Sequence, residues 1–191
     1  MDEQGAGVLQ VSGQRLVGAR FCASPNHNLR PAGRVVDLLV LHNISLPPGE
    51  YGSGCVEQFF LNELDARQHP YFATIAQLQV SAHLLIERGG ALVQFVPFDR
   101  RAWHAGVSCW QGCDNCNDFS IGIELEGCDE EPYSPAQYQS LATAVAAIQR
   151  AYPAITDERI VGHSDIAPGR KTDPGPAFDW PRLRALLASL K

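Results

Sequence analysis

The stretch GHSDIAPGRKTDPG, residues 162–175, holds His163, Asp165, Arg170, Lys171 and Asp173 within one turn-rich segment. Histidine and aspartate are metal ligands, and a lysine or arginine beside them can stabilise a developing negative charge. Gly, Pro, Asp and Ser are also turn residues, so the same composition describes a solvated loop. A second histidine bears on the choice. His42 ends the apolar run LLVLHN (38–43), as His163 ends RIVGH (159–163). With one loop carboxylate these histidines would make a His2Asp set, three protein ligands and an open fourth position, which is the arrangement of a catalytic zinc. Asp165 and Asp173 are the candidates. Asp165 is two residues from His163 and equally placed to cap the following turn. Asp173 is ten residues on, with enough chain to curl back.

The strand pattern IGIELEG (121–127) adds two carboxylates. With period two, Ile121, Ile123 and Leu125 share one face, and Gly122, Glu124 and Glu126 share the other. In a sandwiched sheet such carboxylates are partly buried and raised in pKa, which suits a proton acceptor beside a metal. The competing reading is a sheet with one solvated face. Cys109, Cys113 and Cys116 form C-x3-C-x2-C. A structural zinc there lacks the second CxxC pair of a zinc ribbon, so free thiols are the expectation.

These residues need a frame to hold them. RVVDLLVLHN (34–43) reads as a buried strand, and SAHLLIERGGALVQFV (81–96) as two strands joined by a Gly-Gly turn. RIVGH is a short strand, and EQFFLNEL (57–64) a short helix. SPAQYQSLATAVAAIQRAY (134–152) predicts a helix with Ser134 as N-cap and Pro135 at its first position. WPRLRALLASL (180–190) predicts a terminal amphipathic helix. Strands and helices interleave around one hairpin. The expected architecture is α+β: a single domain over residues 1–191, a mixed β-sheet with helices packed on it.

Composition bounds the rest. The 191 residues suffice for one sizeable core, and 19% charged with 45% hydrophobic residues is ordinary for a globular chain. The net charge of −6, without a Lys/Arg block, argues against nucleic acid and anionic membrane as partners, and no protein partner is evident. The opening MDEQGAG is acidic and has no apolar segment, so no secretory signal is expected and the cytoplasm is the default location.

LHNISLPPGE (41–50), HPYF (69–72), VSAH (80–83), RAWHAGVS (101–108), CNDFSIGIELEG (116–127) and the 162–175 loop together resemble the N-acetyl-anhydromuramyl-L-alanine amidases of the AmpD type. The likeness runs from about Ser24 to Trp180 and keeps the order of the motifs. It implies a central mixed β-sheet flanked by helices with a zinc cleft at the strand ends, and one zinc per chain held by His42, His163 and Asp173, with Glu124 rather than Glu126 as acid/base and Lys171 stabilising the oxyanion. It also implies Asn43, Tyr71, Trp103 and His104 around the substrate groove. The implied reaction cleaves the amide between the lactyl group of 1,6-anhydro-N-acetylmuramic acid and L-alanine in small soluble wall fragments. Ser164 and Gly169 stand where the family commonly has Cys and Glu; neither is an implied ligand. A binding module without catalysis is the rival class, which the complete ligand, Glu and Lys set disfavours. A common zinc peptidase is a second rival, disfavoured because no HExxH helix is present.

Overall fold

The computed structural model describes residues 9–191; the acidic MDEQGAG stretch lies outside them. One six-stranded sheet organises the chain. Its strands are β1 (Arg20–Phe21), β2 (Leu38–Ile44), β3 (Leu84–Ile86), β4 (Leu92–Gln94), β5 (Ser120–Glu126) and β6 (Ile160–Gly162), in the spatial order β6-β2-β5-β3-β4-β1. Strands β6, β2, β5 and β3 run parallel; β4 is antiparallel to β3 through the expected Gly89-Gly90 hairpin. The α-helices among the described residues are α1 (Cys55–Phe60), α2 (Pro70–Ile75), α3 (Pro135–Ala151), α4 (His163–Ile166) and α5 (Trp180–Ser189). None is long and apolar enough to cross a membrane.

The two faces of the sheet are covered differently. Leu39, Leu41, Ile121, Ile123 and Leu125 point at α3 and α5, where Tyr138, Leu141, Val145, Ile148, Leu183 and Leu187 complete a fully buried core. Each such aliphatic side chain contributes about 1.5–3 kcal/mol by leaving water. Helix α3 starts as its sequence dictates. Ser134 Oγ accepts the Gln137 N–H at 3.1 Å, and the Gln137 side chain accepts the Ser134 N–H at 3.1 Å, a reciprocal cap worth about 1 kcal/mol. On the opposite face, Leu38, Val40 and Val161 pack with Phe119 and Ile166, while Phe59, Phe60 and Phe72 of α1 and α2 cover Leu85, Val93 and Phe95.

Burial on both faces of β5 departs from the reading in which one face is solvated. All seven β5 residues are buried, the two glutamates included. The alternation correctly divides the strand into two faces but does not reveal that the polar face is covered. Two further adjustments concern boundaries. RIVGH does not end as a strand at His163; β6 stops at Gly162 and His163 opens the short helix α4. Helix α2 begins within the HPYF motif, with His69 as N-cap, its Nδ1 accepting the Tyr71 N–H at 3.1 Å. Neither the short helix nor the three two-stranded ladders that surround the sheet carries a period long enough to read from sequence.

Candidate metal centre

Register places the site. In the parallel pair β5–β2, Glu124 lies opposite His42 and Leu125 opposite Asn43. On the other side of β2, Gly162 of β6 lies opposite Leu41, so His163 follows one step further at the level of His42. Three neighbouring strands thus deliver Glu124, His42 and His163 at one height, at their carboxyl ends, on the face away from α3 and α5. That edge of a parallel sheet is where a crevice for ligands forms.

Asp173 joins them from the loop. Its carbonyl accepts the Ser164 N–H at 3.0 Å, which ties the loop back onto the start of α4. Gly162 is required at the crossing, because a Cβ there would sit 2.8 Å from Pro174 Cδ. Asp165, the other candidate carboxylate, is exposed and accepts the Gly162 N–H at 2.7 Å, so it caps α4 and does not enter the cluster. His42 Nδ1 and His163 Nδ1 are 2.9 Å apart, and Asp173 Oδ2 is 3.0 Å from each.

The donor chemistry of this triangle fits a metal ion. Ligand atoms about 2.0–2.1 Å from one tetrahedral centre lie roughly 3.3 Å from each other, close to the spacing here. His163 Nε2–H donates to the Ala105 carbonyl at 3.0 Å, which leaves the lone pair on Nδ1, toward the centre. The outer nitrogen of His42 is engaged as well, 2.9 Å from His104 Nδ1. Both histidines are buried. Burial holds the His42 pKa down to about 4, keeping the imidazole neutral and able to ligate. For Asp173, burial works upward, but the bonds from His163 and His42 outweigh it and hold the carboxyl far below the usual range. Among the described residues this is the group of three ligand atoms that converges, all within 4.8 Å of one another. The cysteines do not form such a group: Cys109 and Cys113 are exposed on a two-stranded ladder, and Cys116 is buried beneath it with Phe119.

The two β5 glutamates behave differently. Glu126 is anchored by the backbone, its two oxygens accepting the N–H groups of Gly52 and Arg88. Glu124 is 8% exposed, lines the cleft, and keeps a buried Oε2 with no hydrogen-bond partner among the described residues. A buried acceptor left without a partner costs about 1–3 kcal/mol, which a purely structural position would not retain. Burial raises its pKa well above the usual carboxylate range; the Asp173 charge adds to this and Lys171 opposes it.

The cleft has a volume of about 610 Å³. His42, Glu124, His163 and Asp173 line it together with Lys171, Asn43, Tyr71, Trp103 and His104, whereas Asp165, Glu126 and the cysteine triplet lie outside it. Lys171 is exposed and makes no ion pair among the described residues. Asn43 Nδ2 donates to Asp129 Oδ1 at 2.7 Å, and Trp103 Nε1 donates to Asn28 Oδ1 at 3.0 Å. Sequence reasoning missed the roles of Ala105, Ser120 and Gly122. The last had a legible signal, since a lone glycine inside a strand marks a close approach.

Residues 32–176 match the N-acetylmuramoyl-L-alanine amidase family, and the chain belongs to it. Within that family it is 58% identical, over 173 residues, to the 1,6-anhydro-N-acetylmuramyl-L-alanine amidase AmpD of Salmonella typhimurium strain SL1344, covering 91% of this chain and 92% of that protein. The crystal structure of a selenomethionine AmpD superposes with a TM-score of 0.90 at 55% identity, covering 93% of this chain and 98% of the other. The N-acetylmuramyl-L-alanine amidase AmiD of E. coli, solved with anhydro-N-acetylmuramic acid-L-Ala-D-gamma-Glu-L-Lys, gives 0.59 at 32% identity, covering 82% and 60%.

The raised Glu124 pKa has a measurable consequence. The folded protein binds this proton more tightly than the unfolded chain does. The resulting stability is complete below the ordinary value of 4.5 and drains away as pH rises toward the folded value. In chelator, Glu124→Gln should therefore gain melting temperature relative to the unchanged protein as pH is raised from 4.5. A difference that stays flat from about pH 4 to 8 would contradict the assignment of a buried, titrating carboxylate.

Proposed function

We propose that the protein is a zinc-dependent hydrolase of the amide between the lactyl group of 1,6-anhydro-N-acetylmuramic acid and L-alanine, acting on small peptidoglycan fragments in the cytoplasm during wall recycling. The observation that carries this reading is the convergence of the His42, His163 and Asp173 donor atoms beside the unpartnered Glu124 oxygen in one cleft. Identity to the AmpD relatives supports the anhydromuramyl specificity, since 1,6-anhydro-N-acetylmuramyl-L-alanine is the substrate their name carries. The donor set of two imidazoles and a carboxylate supports zinc.

His42, His163 and Asp173 would hold the ion, which when bound supplies Lewis acidity toward water and a carbonyl oxygen. Glu124 does the proton work. Its carboxylate accepts a proton from the attacking water and returns it to the nitrogen of the departing alanine. Its raised proton affinity suits the second half of this cycle, when a neutral amine must leave. Lys171, on the loop wall of the cleft, offers an ammonium to the oxygen that gains negative charge as the carbonyl is attacked. Trp103 and Tyr71 present aromatic surface to the sugar, and Asn43 an amide to the peptide. No covalent enzyme intermediate is needed.

The purified protein should carry about one zinc per chain, and His163→Ala should lose it while a Cys109/Cys113/Cys116 triple serine variant keeps it. Glu124→Gln should retain zinc and lose about a hundredfold or more in turnover, with Lys171→Ala losing a similar factor. A mild Glu124→Gln beside a crippling Glu126→Gln would reverse the choice of carboxylate.

Substrate preference is measured by releasing stem peptide from anhydromuramyl peptides, reducing-end muramyl peptides and intact sacculi at equal concentrations of lactyl-alanine bonds. Fastest cleavage of the anhydro form and little action on sacculi is expected. The acidic chain offers no electrostatic hold on an anionic wall, and comparable rates on sacculi would point to a wall-directed enzyme instead.

A further inference from the structure

We propose that His104 is a positioning residue of the metal centre, acting through His42 and backed by Ser120. This rests on the reading of His42 as a ligand through Nδ1. For Nδ1 to offer a lone pair, the neutral imidazole must carry its proton on Nε2, and that N–H needs an acceptor. His104 Nδ1 lies 2.9 Å away. For His104 to accept there, its own proton must sit on Nε2, which lies 3.1 Å from Ser120 Oγ. The chain Ser120–His104–His42 is therefore self-consistent in one proton arrangement, with the free lone pair at the centre. The second histidine ligand is served by a single carbonyl, that of Ala105, the next residue after His104.

The fold is built to hold His104 in this place. Its ring lies over Gly122, where a Cβ would come within 2.5 Å of Cγ and 2.6 Å of Nδ1. Any side chain at that step of β5 would displace the imidazole, which accounts for a glycine in the middle of a buried strand two residues before Glu124. The backbone on either side of the His104–Ala105 peptide is fixed by Asn117, whose Oδ1 accepts the His104 N–H at 3.1 Å and the Ala105 N–H at 2.8 Å. One buried asparagine thereby sets the position of both outer partners, the His104 ring for His42 and the Ala105 carbonyl for His163. His83 meets the ring edge-on, its centroid 5.8 Å away, and is itself locked by accepting the Gly122 N–H at 3.0 Å. His104 thus has a task beyond lining the substrate groove.

The test reads zinc affinity, by competition with a chromophoric chelator, together with the nitrogen tautomers of the zinc-loaded protein by long-range 1H–15N NMR. His104→Leu should weaken zinc binding about 10–100-fold, whereas His104→Asn, whose Oδ1 can occupy the place of Nδ1, should restore most of it. Ser120→Ala should give a smaller loss in the same direction. In the unchanged protein, His42 and His104 should both carry their proton on Nε2, a measurement that needs no variant to fold. Equal zinc affinity in the unchanged, Leu and Asn proteins would overturn the positioning role and leave the ligand assignment standing. A zinc-loaded His42 protonated at Nδ1 would overturn the positioning role together with ligation through Nδ1. No zinc binding by the unchanged protein would overturn both. A His104→Leu effect confined to KM, with zinc affinity intact, would return His104 to substrate contact alone.

Discussion

The site depends on the parallel register of three strands. Glu124 sits beside His42 because β5 and β2 pair without a bulge over seven residues, and His163 reaches the same height because β6 pairs with β2 one step lower. A slip of one residue in either pairing would turn the side chain to the α3–α5 core, since successive side chains alternate between faces. The apolar half of the pattern prevents that slip. Leu39, Leu41, Ile121, Ile123 and Leu125 are each fully buried, and exposing the set would forfeit several times about 1.5–3 kcal/mol. Hydrophobic packing on one face thereby fixes polar chemistry on the other.

That chemistry is placed in a setting that charges tolerate poorly, and each group is compensated in its own way. Glu126 is held by two backbone N–H groups and Asp165 by one, so these carboxylates are structural. His83 bridges the Gly122 N–H and the Arg100 carbonyl, and its pKa falls to about 3, mainly through burial and then through the nearby Arg30 charge. Glu124 lacks such compensation at Oε2, and the donors of His42, His163 and Asp173 face each other instead of separate partners. Uncompensated groups gathered in one cleft distinguish a working site from a polar core.

Much of this was legible in the sequence for identifiable reasons. Long periodic segments, the Ser134-Pro135 helix start and the Gly-Gly hairpin carry their own signals, and the LLVLHN, IGIELEG and GHSDIAPGRKTDPG words carry ligands at strand ends. The α+β architecture with a mixed sheet followed from their alternation, and the family followed from the order of the motifs. Coverage of the second sheet face was not legible, because it is supplied by α1, α2 and the 101–119 region, which are short or irregular. The choice between Glu124 and Glu126 was not fixed by strand period, which treats them alike; the family resemblance pointed to Glu124, and the backbone donors of Gly52 and Arg88 set Glu126 apart. The link from His104 to His42 was hidden because it joins residues 62 apart in sequence through a gap left by Gly122.

Strand register and one returning loop bring the ligand atoms of His42, His163 and Asp173 together, where they could hold a single metal ion. The most direct measurement is an anomalous difference map at the zinc absorption edge, from crystals of the protein grown with the ion. One peak is expected, within about 2.0–2.2 Å of His42 Nδ1, His163 Nδ1 and an Asp173 carboxylate oxygen, with no sulfur ligand. A peak at Cys109, Cys113 and Cys116, or zinc bound without Asp173, would contradict the account.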